Sequence, residues 1–277
     1  MTIAAGFVVK DGILLCADTL YTDGFTKEYR EKIFPWIGQD ESVCFAIAGH
    51  ALIGRMAVED CRQALWGSKR PHHTIAQIMA TIRPLLKAVY EQYVDTRPQH
   101  EQQTADFSLL IAVATTGERP RLFSTYHGAT APIDSFECLG IGRHLGRYVI
   151  EPMFNPGMTI GEAAVLGIHA LGAAKERVDG VGGKSQFVSM RGTAISPIVP
   201  HDIDLSEQLI LTFRKLTGDL LLAVSNSELD AVRFRRHFEE FVFQVENMRT
   251  VWLDRAAPLN ALMRSLAEIG TFPPEGL

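Results

Sequence analysis

The order of patterned segments predicts an α+β fold: a four-layer αββα sandwich, with two antiparallel sheets face to face and a helix pair on each outer side. Three observations lead there. Strand-like runs crowd the first fifty residues, helical spacing takes over near residue 50 and again near residue 143, and strand-like runs return at 107–139 and 185–190. The chain has 277 residues, 47% of them hydrophobic, which suits a domain of about 200 residues with an appendage.

Residues 2–9 and 13–17 are apolar runs separated by Lys10-Asp11-Gly12, and Asp-Gly between β-prone segments is a strong hairpin signal. A third extended stretch reaches Trp36, and Ser42 to Ala48 reads as a buried strand. Leu52, Met56, Ala57, Cys61 and Leu65 then recur at helical spacing, giving one apolar face over residues 50–66. A second helix is expected over 74–94, kinked or divided at Pro84. Gln99 to Ala105 is polar and reads as a loop. Strands are expected at 107–115, 121–125 and 136–139, and helices from Arg143 and over 159–176. In the second of these Thr159 and Glu162 have capping-box spacing. A glycine-rich turn, Asp179 to Gly183, precedes a strand at 185–190. From about Pro200 the pattern changes. Phe234, Phe238, Phe241, Val245, Met248 and Trp252 form a helical stripe within 228–253 that must be buried somewhere. The expected division is a domain over 2–199 and a mainly helical extension over 200–277.

A net charge of -5 argues against a nucleic-acid footprint, which needs a clustered basic surface. The apolar start is interrupted at Lys10-Asp11, so no signal peptide is expected, and no apolar run is long enough to span a bilayer. Cys16, Cys44, Cys61 and Cys138 sit in or beside apolar runs without metal-ligand spacing, as reduced thiols of a cytoplasmic protein do. No metal or cofactor is expected.

Chemistry concentrates at the chain start. A threonine hydroxyl is a weak nucleophile and needs an adjacent base. A threonine at the terminus carries its own, because an α-amino group titrates near about 7.7–8.0. Thr2 is small enough for Met1 to be removed, exposing that amine. Lys32 is the candidate cation that stabilises the developing alkoxide and lowers the amine's pKa by like-charge repulsion. Asp18 is the candidate partner that offsets the lysine's desolvation and fixes its position. Gly49 stands where a strand ends and a helix begins, so unpaired backbone N–H groups there suit an oxyanion. His50 reads as a polar residue at the helix N-terminus.

The run Thr2-Ile3-Ala4-Ala5-Gly6, the Lys10-Asp11-Gly12 turn, Ala17-Asp18, Glu31-Lys32-Ile33 and Phe45-Ala46-Ile47-Ala48-Gly49 together resemble proteasome β-subunits and the related HslV-type peptidase. The resemblance covers residues 2–66 well, 107–191 more loosely, and the C-terminal segment not at all. It implies the sandwich of N-terminal-nucleophile hydrolases, with Thr2, Asp18 and Lys32 as triad, Gly49 as oxyanion donor and Asp179 holding the terminal amine. It maps Tyr21, Arg30, Phe34, Ile47, Ala51 and Arg55 to the pocket for the side chain before the scissile bond. Ile47 at its floor would favour a medium apolar residue, and Arg30 and Arg55 an acidic one. The sequence departs at two supporting serines: Gly140-Ile141-Gly142 stands for Gly-Ser-Gly, and Gly182 stands for the serine after Asp179. The implied partners are a peptide or polypeptide substrate, copies of the same chain in a homo-oligomeric ring, and an unfoldase. Two rivals stand beside the threonine peptidase: a small-molecule amidase using the same nucleophile, and a scaffold subunit with an idle site.

Overall fold

The structure is a computed structural model that describes residues 2–22, 26–67 and 74–269, with side chains as far as 252. It divides into two compact units, Met1–Glu207 and Gln208–Leu277.

The first unit is the αββα sandwich. The chain start pairs into a hairpin, β1 (Ile3–Val9) with β2 (Gly12–Asp18), whose register runs from Val9↔Gly12 to Ala4↔Ala17. Asp11 at the turn accepts a hydrogen bond from the Ile160 backbone at 2.8 Å, so the turn also caps a helix. Strands β3 (Leu20–Thr22) and β4 (Lys27–Tyr29) form a small separate ladder. They are followed by β5 (Ile33–Ile37) and β6 (Glu41–Gly49). Helices α1 (Ala51–Trp66), α2 (Ile75–Tyr90) and α3 (Gln99–Ala105) come next, with a π-helical turn at Glu91–Asp95. Four strands complete the middle of the unit: β7 (Phe107–Thr115), β8 (Arg121–Tyr126), β9 (Ala129–Ile133) and β10 (Phe136–Gly140). Helices α4 (Arg143–Ile150) and α5 (Ile160–Arg177) lead to β11 (Ser185–Arg191) and β12 (Ala194–Pro197). One sheet has the order β10-β1-β2-β11-β12 and the other β5-β6-β7-β8-β9.

Strand parity sorts the core. Val43, Phe45 and Ile47 of β6 and Leu109, Ile111 and Val113 of β7 face α1 and α2. The intervening Cys44, Ala46, Ala48, Leu110, Ala112 and Ala114 face the other sheet. Small side chains on that inner face let the sheets approach closely. A Cβ at Gly6 would already meet Leu15 and Leu122 at 3.0 Å. Each large side chain buried here contributes about 1.5–3 kcal/mol.

Several expectations are amended. Pro84 lies inside a continuous α2. Its missing N–H would have bonded Ala80, and both residues are exposed, so water can satisfy that carbonyl. Residues 99–105, expected as a loop, form α3, of which Ala105 alone is buried; a helix that buries so little carries no apolar periodicity to read. Strands β9 and β12 carry Pro132 and Pro197 at sheet edges, where a missing donor is tolerated. The capping box at Thr159 and Glu162 is present.

Helix α6 (Pro200–Ser225) contains the boundary between the units, and α7 (Ala231–Ile269) lies wholly in the second. Within that unit the Phe213 and Phe241 rings are 6.5 Å apart. Of the expected stripe, Met248 is buried, Phe234, Phe241, Val245 and Trp252 are half-buried, and Phe238 is exposed. No helix among the described residues is long and apolar enough to cross a membrane.

Candidate active site

Five strand ends meet at one end of the sandwich. Thr2 precedes β1, Asp18 ends β2, Lys32 precedes β5, Gly49 ends β6 and Gly140 ends β10. The pairing Ile3↔Gly140 and the hydrogen bond from the Ile47 N–H to the Lys32 carbonyl, 2.9 Å, draw these ends together from both sheets.

Thr2, Asp18 and Lys32 are all wholly buried. The Lys32 ammonium has three protons and three acceptors: Asp18 Oδ1 at 2.7 Å, the Leu20 carbonyl at 2.6 Å, and Thr2 Oγ1. Asp18 is satisfied on both oxygens. Oδ1 also accepts from the Ile3 N–H at 3.0 Å, and Oδ2 accepts from the N–H groups of Leu20 at 3.3 Å and Gly182 at 3.0 Å. Burial pulls the Lys32 pKa down to about 8, and the Asp18 carboxylate opposes that fall. A lysine with its pKa there holds its proton at neutral pH. The Tyr21 ring lies against the same ammonium, 4.6 Å from Nζ to the centroid.

Backbone supports this cluster where the sequence offers no signal. Gly182, at the position of one missing serine, supplies its N–H to Asp18. Gln186 accepts from the Lys32 N–H through Oε1 at 2.8 Å, tying β11 to the lysine. Gly140 has φ +89, and a Cβ there would run into the Thr2 carbonyl. Gly142 donates to that same carbonyl at 3.3 Å. Gly49, with φ +93, is held against Asp106, whose carbonyl a Cβ would strike. The next residue, His50, is the N-cap of α1, and its Nδ1 accepts from the Ile53 N–H at 3.3 Å. Burial first, then Arg97, lowers its pKa, so it acts as a neutral cap.

A cleft of about 1240 Å³ opens over Thr2. Of the residues mapped to specificity, Tyr21, Arg30, Phe34, Ala51 and Arg55 line it, together with Gly49. Ile47 does not. It is fully buried on the helix-facing side of β6, beneath Gly54, because strand parity turns it away from the cleft. Nor is Asp179 brought to Thr2. It is exposed in its turn, makes no hydrogen bond among the described residues and does not line the cleft. Ile141, at the other missing serine, is 51% exposed on the cleft wall. Among the described residues no cluster of histidine, cysteine or acidic side chains is arranged to hold a metal.

Comparison with known proteins agrees with this architecture. A family model described as proteasome subunit matches residues 2–189. A relative from Thermococcus sibiricus, named proteasome subunit alpha, is 23% identical over 203 residues, covering 72% of this chain and 74% of its own length. One of the same name from Pyrococcus abyssi is 24% identical over 177 residues, 63% of this chain and 64% of its own. Among solved structures, the Anbu (ancestral beta-subunit) from Yersinia bercovieri aligns with a TM-score of 0.67 at 11% identity, over 83% of this chain and all of its own. The helical assembly of the Anbu complex from Pseudomonas aeruginosa gives a TM-score of 0.70 at 14% identity with the same coverage. At these identities the structural likeness is one of fold.

Proposed function

For a chain that belongs to the proteasome subunit family, we propose a threonine-type endopeptidase that works as a homo-oligomer, with Thr2 as nucleophile after removal of Met1. The observation that carries this reading is the Lys32 ammonium, fully buried and divided among Asp18, the Leu20 carbonyl and Thr2 Oγ1. Burying a charged pair costs several kcal/mol. A cation held dry against a threonine hydroxyl is suited to stabilising a charge that forms on that oxygen.

In the proposed reaction the free α-amine of Thr2 takes the hydroxyl proton as Oγ1 attacks the scissile carbonyl carbon. Lys32 stabilises the developing negative charge on Oγ1, and Asp18 keeps Lys32 in place. The Gly49 N–H is assigned to the tetrahedral oxyanion. Collapse breaks the C–N bond, and the proton passes from the amine to the departing nitrogen. Water then attacks the Thr2 ester and releases the second product. The catalytic domain is proposed to comprise residues 2–199, with 200–277 as a helical extension.

The second reading, a ring or scaffold subunit with an idle site, is favoured by the name of both relatives, since α-type subunits are typically non-catalytic. Intact mass, before and after an electrophile directed at N-terminal threonine, separates the two. The peptidase reading requires loss of Met1 and one adduct, absent in Thr2→Ala. Retained Met1 and an unreactive Thr2 in an assembled particle would establish the scaffold reading instead.

A further inference from the structure

The direction of the Gly49 N–H is set by residues that the proposed chemistry does not use. In β6 the Ile47 N–H bonds the Lys32 carbonyl on one side, and the His50 N–H bonds the Asp106 carbonyl on the other, each at 2.9 Å. Successive N–H groups of a strand point to opposite neighbours, so the Gly49 N–H points as that of Ile47 does. The β5 ladder ends at Ile33↔Ala46, and Gly49 lies beyond it, facing the site. Its other side is packed on β7. Gly49 pairs with Phe107, and a Cβ on it would strike the Asp106 carbonyl and stand 2.9 Å from the Phe107 Cα.

One buried side chain reaches both of these residues. Tyr90, the last residue of α2, is 4% exposed and does not line the cleft. Its ring centroid is 6.0 Å from that of Phe107. Burial first, then the charge of Asp106, raises its pKa, so the carboxylate is close to the phenol. Asp106 Oδ1 is itself buried without a hydrogen-bond partner. From the other side the Tyr90 hydroxyl is fixed by His127 Nδ1 at 2.6 Å. Exposed His127 and Gly128 make the two-residue turn between β8 and β9, where Tyr126 pairs with Ala129. Such a turn takes positive φ, and His127 has φ +46, a backbone that a non-glycine residue keeps only where contacts hold it. The turn is seated on α2, since a Cβ at Gly128 would meet the Tyr90 Cβ at 3.1 Å, and Arg83 donates to Thr130 at 2.8 Å. Directly after Tyr90 comes the π-helical turn Glu91–Asp95, a form that recurs at functional sites.

We propose that Tyr90, held by His127, is a positioning residue for the oxyanion donor, acting on the Gly49 backbone through Asp106 and Phe107. This rests on the peptidase reading and extends it by a line of contacts from the β8–β9 turn to the reacting carbonyl. Tyr90 governs how well the Gly49 N–H meets the oxygen as negative charge forms there. Its effect therefore belongs to the transition state and not to substrate binding.

The experiment uses the full assembled chain, one fluorogenic peptide and the corresponding peptide aldehyde, whose adduct with Thr2 puts an oxygen at the oxyanion position. Tyr90→Phe keeps the ring against Phe107 and removes the hydroxyl. It should lower kcat about 10-fold with KM within about twofold, a smaller loss than the about 10²–10³ of a deleted oxyanion donor. The aldehyde Ki should rise by the factor that kcat falls, because the adduct carries the oxyanion and the bound substrate does not. His127→Gly deletes the acceptor while easing the backbone, and should match Tyr90→Phe in all three constants. His127→Asn offers an acceptor oxygen near the Nδ1 position, tolerates positive φ, and should keep most of the wild-type kcat. Wild-type kcat in His127→Gly, or a lowered kcat with an unchanged aldehyde Ki in either variant, overturns the positioning role while wild-type cleavage preserves the peptidase reading. A wild type that cleaves no peptide, with Thr2 inert to the aldehyde, overturns both.

Discussion

The floor and the wall of the cleft solve opposite problems. On the floor, Lys32 spends every donor and Asp18 bonds through both oxygens, all within the folded chain. On the wall, among the described residues, the Tyr21 hydroxyl has no hydrogen-bond partner and Arg55 has an aromatic face but no carboxylate. The floor is therefore complete before a substrate arrives, which suits charge that must be in place when an alkoxide forms. Perturbing the floor should harm chemistry and folding together, while perturbing the wall should redistribute preference among substrates.

The largest effect expected is at the nucleophile. Thr2→Ala should lower peptide hydrolysis by several orders of magnitude while circular dichroism stays native, because it removes one oxygen and little packing. A verified uncleavable residue before Thr2 should do the same, since it turns the basic amine into an amide. Full turnover in either variant would break the assignment of the floor to chemistry.

Asp18 tests whether the floor is also structural. Asp18→Ala leaves Lys32 and three N–H groups without their acceptor in a dry site, and should cost about 3–5 kcal/mol in urea unfolding. A loss below about 1 kcal/mol, the range of an exposed pair, would mean that the site is open to water.

The Lys32 proton gives a signed version of the same test. Its folded pKa, about 8, lies below its ordinary value of 10.5. Between those pH values the unfolded chain binds more protons, so this residue makes stability rise with pH across that window, by up to about 3 kcal/mol. Burial also raises the thiols, Cys61 and Cys138 to about 12, and they pull the other way above their ordinary 9.0. The readout is therefore the difference between wild type and Lys32→Met at pH 7.5 and pH 10. Activity should fall above about pH 8 as the ammonium is lost, and Asp18→Asn should move that fall lower.

The same contrast explains what the sequence disclosed. The helix and strand layers were legible because their patterns repeat, and Thr2, Asp18 and Lys32 were legible as a group because their type and order match a family pattern; the structure brings these three side chains into contact. The edge strands β9 and β12 were not legible, being short, mostly exposed and interrupted by proline. Ile47 was misplaced because a residue two before Gly49 has the parity of the helix-facing core, which depends on which face that sheet turns inward. The exposed position of Asp179 was not legible, because a turn rich in glycine leaves side-chain direction undetermined by pattern. The Gly182 N–H and the Leu20 carbonyl were invisible for another reason: any residue but proline carries the first, and every residue carries the second.

Gly140 sharpens the border between floor and wall. It lines the cleft, yet its positive φ and its contact with the Thr2 carbonyl belong to the floor. Gly140→Ala should cost about 1–3 kcal/mol of strain and displace Thr2. Peptides that differ only in the residue before the scissile bond should then slow by a common factor. A changed ratio between them would assign Gly140 to the wall.

The smallest effect expected is at Gln186, which touches neither substrate nor nucleophile. Its Oε1 accepts from the Lys32 N–H at 2.8 Å, so β11 of one sheet positions a residue at the start of β5 in the other. Gln186→Ala removes the acceptor and should cost about 1 kcal/mol, the usual net value of one partly buried hydrogen bond. A purely structural role would end there. A positioning role predicts more: with the lysine backbone free to shift, its ammonium should lose alignment with Thr2 Oγ1, lowering kcat several-fold while KM hardly moves. Gln186→Glu retains an acceptor at that position and should recover most of the lost kcat. If kcat in Gln186→Ala equals wild type while stability falls as expected, the bond is only a staple between sheets. The floor of the site would then be held by Asp18 and the Leu20 carbonyl alone.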